Sequence, residues 1–275
     1  MPWRVALCQM DVRLGDPEAN RLEAGRRLSQ ARAAGATVAV LPELWTTAYA
    51  LDRLDDLAEP PAGPTFTWLR DQARTLGIHL VAGSIAERRE GRVYNTAHVI
   101  DREGRLLASY DKVHLFRLME EEKYLAPGAG PALFRLGGVP CGLEICYDLR
   151  FPELARTLAL AGAQVIFIPA EWPEPRLHHW RSLLIARAVE NQAFIIGVNR
   201  VGQKDPSDPD TDRFFGHSLV VDPWGEVLAE GGDEPAVVLA DLDLDVAPRV
   251  RSRIPVFSDR RPSAYRAPGA PPLGE

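Results

Sequence analysis

Short apolar runs alternate along this chain with longer stretches in which apolar positions recur every three or four residues, the pattern of strands feeding amphipathic helices. Trp3 to Gln9 reads as a strand. Asp16-Pro17 then opens a helix, with Asp16 as N-cap and Pro17 in the first helical position, and Gly35 stops it. A buried strand is predicted over Thr37 to Leu41. A helix from about Thr65 to Leu76, ended by Gly77, leads into strands at His79 to Ser84 and Val93 to Ile100, and Gly104 turns a hairpin into Leu106 to Tyr110.

The second half repeats this order: a strand near Leu143 to Cys146, a helix from Pro152 to Ala161 stopped by Gly162, and a strand over Val165 to Ile168. The residues repeat as well. The segment from Gly35 to Trp45 can be laid on that from Gly162 to Trp172 at an offset of 127, matching Gly-Ala-x-Val, Pro and Trp. Likewise Val99 to Ala108 parallels Val220 to Ala229 at an offset of 121, with Asp-x-x-Gly in each. Gly-Ala before a strand and Asp-x-x-Gly in a hairpin are also common punctuation that can arise independently. The joint match favours a duplicated αβ unit whose two sheets pack together with helices outside. Nothing within residues 1–265 marks a linker, so one domain is expected there, with a Pro-rich surface tail over 266–275.

With 275 residues, 46% of them hydrophobic and 25% charged, the chain can bury a large core. The net charge of −6 lacks the Lys and Arg excess expected of a nucleic-acid or anionic-membrane partner, which turns attention to small molecules. Neither a signal-peptide core nor a membrane-length apolar run is present, so a cytoplasmic protein is expected. Cys8, Cys141 and Cys146 are odd in number and lack Cys-x-x-Cys spacing, which argues against a disulfide framework or structural zinc. Cys8 and Cys141, among apolar residues, read as core.

Three segments place an ionisable residue at the end of a predicted strand, where open αβ sheets form their ligand crevices. Glu43 follows Leu41-Pro42, Lys112 follows the first hairpin, and Cys146 follows Gly142-Leu143-Glu144-Ile145, just ahead of the helix opened by Pro152. A helix N-terminus favours a thiolate, and backbone N–H groups there can hold an oxyanion. Taken singly, Glu43 can cap a helix, Lys112 can pair with Asp111, and Cys146 can be core. A Cys–His pair using His114, His178, His179 or His217 lacks any protease signature around Cys146, and no His-Glu-x-x-His suggests a metal. On the helix predicted from His178 to Glu190, the residues His179, Trp180, Leu183, Leu184 and Arg187 form an inward or dimer-facing stripe.

Leu41-Pro42-Glu43, Tyr110-Asp111-Lys112-Val113-His114-Leu115-Phe116 and Cys146-Tyr147-Asp148-Leu149-Arg150-Phe151-Pro152-Glu153 resemble the three signature segments of the nitrilase superfamily of carbon–nitrogen hydrolases, and the resemblance runs from Val5 to about Tyr265. It implies an α/β fold, a four-layer αββα sandwich of two mixed β-sheets, internally duplicated, that assembles as a homodimer. It further implies Glu43 as general base, Lys112 as oxyanion stabiliser and Cys146 as nucleophile forming a thioester, with Glu121, flanked by Glu120 and Glu122, as a second glutamate. No cofactor and no metal are implied; the partners are a small-molecule amide and water.

Within the superfamily, the stretches from Phe116 to Tyr124, Ala170 to Trp180 and Arg253 to Pro262 resemble the ω-amidase branch, which hydrolyses the terminal amide of 2-oxo acids such as 2-oxoglutaramate. Such a substrate carries a carboxylate opposite its amide, so a cationic anchor is needed. Arg117, Arg150 and Arg176 are the candidates, with Phe116, Tyr147 and Trp172 as walls. Alternatives are an amidase for deaminated glutathione or an N-carbamoyl compound, or a non-catalytic partner protein of the same fold, against which the intact Glu43, Lys112 and Cys146 speak.

Overall fold

The computed structural model describes residues 3–208 and 210–265, and within them the chain runs through two αβ units of similar order. The expected tail over 266–275 lies outside the described residues. The first unit comprises β1 (Trp3–Gln9), α1 (Pro17–Ala33), β2 (Val38–Val40), the one-turn α2 (Leu54–Leu57), α3 (Pro64–Leu76), β3 (His79–Arg89), β4 (Arg92–Ile100), β5 (Leu106–Asp111) and β6 (Ala132–Leu136). The second comprises β7 (Val139–Leu143), α4 (Pro152–Leu160), β8 (Val165–Ala170), α5 (Leu177–Asn191), β9 (Phe194–Asn199), the ribbon of β10 (Val201–Gln203) and β11 (Arg213–Phe215), then β12 (Leu219–Val221), β13 (Val227–Glu230), β14 (Ala236–Leu242) and α6 (Val246–Arg253).

Local chemistry sets the boundaries much as the pattern predicts. The Asp16 carboxylate accepts the Ala19 N–H at 3.1 Å, and Pro17, which has no N–H to lose, opens α1. Gly77 ends α3 in the left-handed conformation at φ 62°. Two boundaries differ by more than two residues. The strand expected over His79 to Ser84 runs on to Arg89 as β3. The strand expected to reach Cys146 stops at Leu143, and Cys146 instead opens a 3₁₀ turn over Cys146–Arg150. The strands β6, β9, β10, β11 and β14, and helix α6, are not anticipated by the pattern.

Both sheets are six-stranded, mixed and built to one plan. In the order β14-β1-β2-β3-β4-β5, strands β1, β2 and β3 are parallel and the rest antiparallel. In the order β6-β7-β8-β9-β12-β13, strands β7, β8 and β9 are parallel and the rest antiparallel. The outer strand is exchanged: β6, last of the first unit, pairs with β7, and β14, last of the second, pairs with β1. The two Asp-x-x-Gly hairpins also match in detail. Asp101 accepts the N–H groups of Glu103 and Arg105, and Asp222 those of Trp224 and Glu226.

Alternation along the strands makes the four layers. Val5, Leu7, Val38, Val40 and Val99 face the second sheet, packing into one core with Leu143, Val165, Phe167 and Ile196. Their neighbours Ala6, Cys8, Ala39 and Leu80 face α1 and α3 through Leu28, Leu69 and Ala73. On the far side α5 lies against β9 so closely that a Cβ on Gly197 would stand 2.7 Å from the Trp180 ring. Each fully buried Val, Leu or Ile contributes about 1.5–3 kcal/mol, so the inter-sheet layer is what holds the two units face to face. On α5, Trp180, Leu184 and Arg187 are buried as the predicted stripe requires, whereas His179 is exposed.

Candidate active site

Pro42, which cannot donate to a ladder, ends the strand β2, and the chain turns there with Leu44 at φ 38°. Ser84 Oγ accepts the Leu44 N–H at 2.9 Å, and the Trp45 indole donates to the Ala82 carbonyl at 2.8 Å. This close approach requires a glycine at 83, because a Cβ there would stand 2.0 Å from the Pro42 oxygen. The result is a fully buried Glu43 aimed between the sheets.

Lys112, just past β5, is also fully buried, and its Nζ donates to Glu43 Oε1 at 2.8 Å and to Glu121 Oε1 at 2.6 Å. Glu121 opens a 3₁₀ turn, whereas Glu120, paired with Lys123, and Glu122 are exposed. Every oxygen of both carboxylates has at least one donor. Glu43 accepts from Asn95 Nδ2 at 2.8 Å and from the Glu171 N–H at 2.8 Å, and Glu121 from the Tyr49 hydroxyl at 2.5 Å and the Phe116 N–H at 2.8 Å. Such saturation is what makes a buried ion cluster tolerable. Burial alone would discharge Lys112, but the Glu121 and Glu43 carboxylates outweigh it and hold the ammonium well above the ordinary lysine range. Glu121 is pushed up by burial and by Glu43, against the pull of Lys112, because two carboxylates share one cation.

Cys146 completes the group. Its backbone is left-handed at φ 48°, its side chain is 5% exposed, and Sγ lies 3.8 Å from the Glu171 carbonyl. The expectation that a helix N-terminus would favour the thiolate is overturned: burial first, then the negative charge of Glu43, push the thiol well above the ordinary cysteine range, with Lys112 opposing only in part. The resting sulfur therefore carries its proton beside a carboxylate that can take it. The other two cysteines are core as expected. Burial pushes Cys8 up to about 12 and raises Cys141 as well.

A narrow, partly open cleft reaches Cys146, and five of the predicted substrate-side residues line it: Phe116, Tyr147, Arg150, Trp172 and Arg176. The sixth, Arg117, does not. It starts a 3₁₀ turn over Arg117–Met119 that carries its side chain out to an exposed groove beside Leu118, while the following turn carries Glu121 in. Arg150 does not pair with Glu153; its guanidinium lies 4.8 Å over the Trp172 ring, with Nη2 3.3 Å from His179 Nδ1. Arg176 stands 5.9 Å from the centre of the Phe116 ring. Among the described residues neither guanidinium is paired with a carboxylate. Among them, too, no group of three or more His, Cys, Asp or Glu is placed to hold a metal ion.

Sequence reasoning missed Tyr49, Asn95 and Glu171. Asn95 had a signal, an amide inside an apolar strand, which when buried must find partners. Glu171 had one too, since the duplication sets it one residue past the match of Glu43. It is buried, its Oε2 lies 3.4 Å from the equally buried Arg200, and burial, opposed by Arg200, raises it to about 8. Tyr49, six residues beyond Glu43, had none.

A buried thiol, a carboxylate against it and an ammonium pinned between two carboxylates are groups that can serve as a nucleophile, a base and an oxyanion donor within one small space. Comparison with known proteins identifies the family. The carbon-nitrogen hydrolase family model matches residues 4–252. The chain is 47% identical to the 2-oxoglutaramate amidase of Bacillus subtilis (strain 168), over 96% of this chain and 100% of that protein. It is 35% identical to the omega-amidase NIT2 of Homo sapiens, over 96% of each. In structure it matches a CN-hydrolase superfamily protein of Xanthomonas campestris, solved with an arsenic adduct in its active site, at a TM-score of 0.87 and 31% identity, covering 98% of this chain and 100% of that one.

Proposed function

We infer that this chain, which belongs to the carbon–nitrogen hydrolase family, is an ω-amidase that converts a small 2-oxo acid monoamide such as 2-oxoglutaramate to the 2-oxo dicarboxylic acid and ammonia. The coarser statement stands on the family and its amidase relatives: the protein is a hydrolase of carbon–nitrogen bonds in linear amides. The observation that carries the finer reading is the cleft itself. Its buried end presents the Cys146 sulfur, and its half-exposed side presents two guanidiniums that pair with no acid among the described residues, so a ligand with an amide at one end and a carboxylate at the other complements it.

In the proposed mechanism, Glu43 takes the thiol proton as Cys146 attacks the amide carbon, and the Lys112 ammonium and the Tyr147 N–H receive the oxyanion. Glu43 returns that proton to the amide nitrogen as the carbon–nitrogen bond breaks, so ammonia leaves and a thioester remains on Cys146. Water, deprotonated by Glu43, then attacks the thioester, and the thiol is regenerated with release of the acid. Glu121 keeps Lys112 charged and in place. Lys112 need not change protonation at any step, which fits its two carboxylate partners. Arg150 and Arg176 hold the distal carboxylate, against the walls of Phe116 and Trp172.

Ammonia release from 2-oxoglutaramate, 2-oxosuccinamate, deaminated glutathione, an N-carbamoyl amine and a simple nitrile tests the substrate assignment. The two 2-oxo amides are expected to lead, and finding them poorest of the set would discard it. Hydroxylamine added during turnover should yield a hydroxamate if the acyl group passes through a thioester. The homodimer implied by the family resemblance would appear in sedimentation as twice the chain mass.

A further inference from the structure

Asp148 is fully buried, two residues beyond Cys146, and has no part in the chemistry above. Its carboxylate is surrounded by donors. Oδ2 accepts the Tyr110 hydroxyl at 2.7 Å and the Ile145 N–H at 2.9 Å, while Oδ1 accepts the His114 N–H at 2.9 Å and lies 2.7 Å from His114 Nδ1. A carboxylate only accepts, so His114 carries its hydrogen on Nδ1. Tyr110 stays a phenol, pushed up by burial and by the neighbouring Asp148 charge.

These donors come from two separate pieces of chain. Tyr110 and His114 flank Lys112, two residues to either side, and Ile145 immediately precedes Cys146. The same carboxylate therefore grips both the lysine's strap and the nucleophile's turn. The turn needs gripping, because Cys146 sits in a left-handed conformation that a non-glycine residue adopts only when its surroundings enforce it. The Asp148 N–H closes the turn from the other side by donating to the Ile145 carbonyl at 3.0 Å. Phe151, whose N–H donates to the Asp148 carbonyl at 2.9 Å, stacks on the His114 ring at 3.7 Å and 7°.

We infer that Asp148 is a positioning residue, whose carboxylate fixes the separation between the Lys112 ammonium and the Cys146 sulfur and so the fit of the oxyanion between them. The inference rests on the roles proposed above for Lys112 and Cys146. Asp148→Asn keeps the shape but points an amide donor at other donors. A misplacement of about 1 Å costs on the order of 100-fold, so kcat should fall by about that factor with KM within about threefold. Alkylation of Cys146 by iodoacetamide, which needs the thiol but not the lysine, should stay within about fivefold of wild type. A purely structural Asp148 would instead lower turnover and alkylation together, in proportion to the folded fraction, and that result overturns the inference. So does a folded variant with unchanged kcat, or a loss confined to KM.

If Asp148→Asn does not fold, Tyr110→Phe and His114→Ala decide the matter, since each removes one of the three donors on the lysine side and so loosens the grip. About a tenfold drop in kcat at steady KM supports it, and wild-type kcat in both sinks it. Ammonia release surviving Cys146→Ala would instead discredit the reading of the site. A dead Cys146→Ala beside fully active Asp148, Tyr110 and His114 variants would remove only the present inference.

Discussion

The two halves of the molecule share a fold plan and differ in what they carry at corresponding places. After β2 the first half reads Leu41-Pro42-Glu43-Leu44-Trp45, and across the end of β8 the second reads Ile168-Pro169-Ala170-Glu171-Trp172. Glu43 thus faces the site where its counterpart is Ala170, and Glu171 reaches back only with its main chain, donating its N–H to Glu43 Oε2 and offering its carbonyl to Cys146. Trp45 is locked in the helix-side core by the Ala82 carbonyl, while its match Trp172 walls the cleft and backs Arg150. The first half holds the charges and the second the sulfur. The repeated plan places two strand ends facing one another, and each carries groups that the other lacks.

If the halves form one catalytic unit, damage on either side should be equally fatal. Cys146→Ala is expected to abolish ammonia release, by about 10⁴-fold or more, and Glu43→Gln to come close to it. Because residues acting as a unit are not additive, the double variant should be no slower than Cys146→Ala alone. Any further loss in the double variant would separate the two roles.

The tryptophans offer a sharper contrast. Trp45→Phe strands the Ala82 carbonyl in the core and should cost about 1–3 kcal/mol in urea unfolding while leaving KM intact. Trp172→Phe should instead raise KM by about tenfold by loosening the Arg150 platform. Equal effects on both measurements would break the contrast.

Glu171 predicts a pH dependence. Its carboxyl is raised on folding to about 8, so the folded state holds the proton more tightly than the unfolded chain does. That contribution is complete below the ordinary carboxylate value and is lost as pH climbs through about 8, at most roughly 1.4 kcal/mol per pH unit. Wild type should therefore lose stability relative to Glu171→Gln between about pH 5 and about pH 9, and parallel curves would count against the assignment. The smallest effect belongs to Arg117→Met. Its guanidinium lies outside the cleft, and the 2-oxo amides should be hydrolysed within about twofold of the wild-type rate, whereas Arg150→Met and Arg176→Met should raise KM by one to two orders of magnitude, on the order of 2 kcal/mol each.

Much of the architecture was legible because it is local. Asp16, Pro17, Gly77 and Gly104 act within a few residues of themselves, so the helices and hairpins they bound could be read directly, and the repeated segments exposed the duplication. The short edge strand β6 and the ribbon of β10 and β11 were not, since their pairing depends on partners that no local period announces. In the site, the motifs marked Glu43, Lys112 and Cys146, and the resemblance pointed to Glu121 as the second glutamate, but only the 3₁₀ turn shows how it is carried inward while its flanking acids stay exposed.

The sequence alone thus determined the capped helices, the hairpins and their repeated order in the two halves, and the residues with chemistry to offer. Tertiary structure decided how those residues are charged and partnered: which glutamate shares the lysine, that the thiol stays protonated, that two arginines have no acid partner among the described residues, and that Asp148 ties two distant turns together. The physical reason is that propensity and capping are short-range, whereas desolvation and lone-pair satisfaction depend on what packing brings alongside, as when the N–H of Glu171 meets a carboxylate 128 residues away.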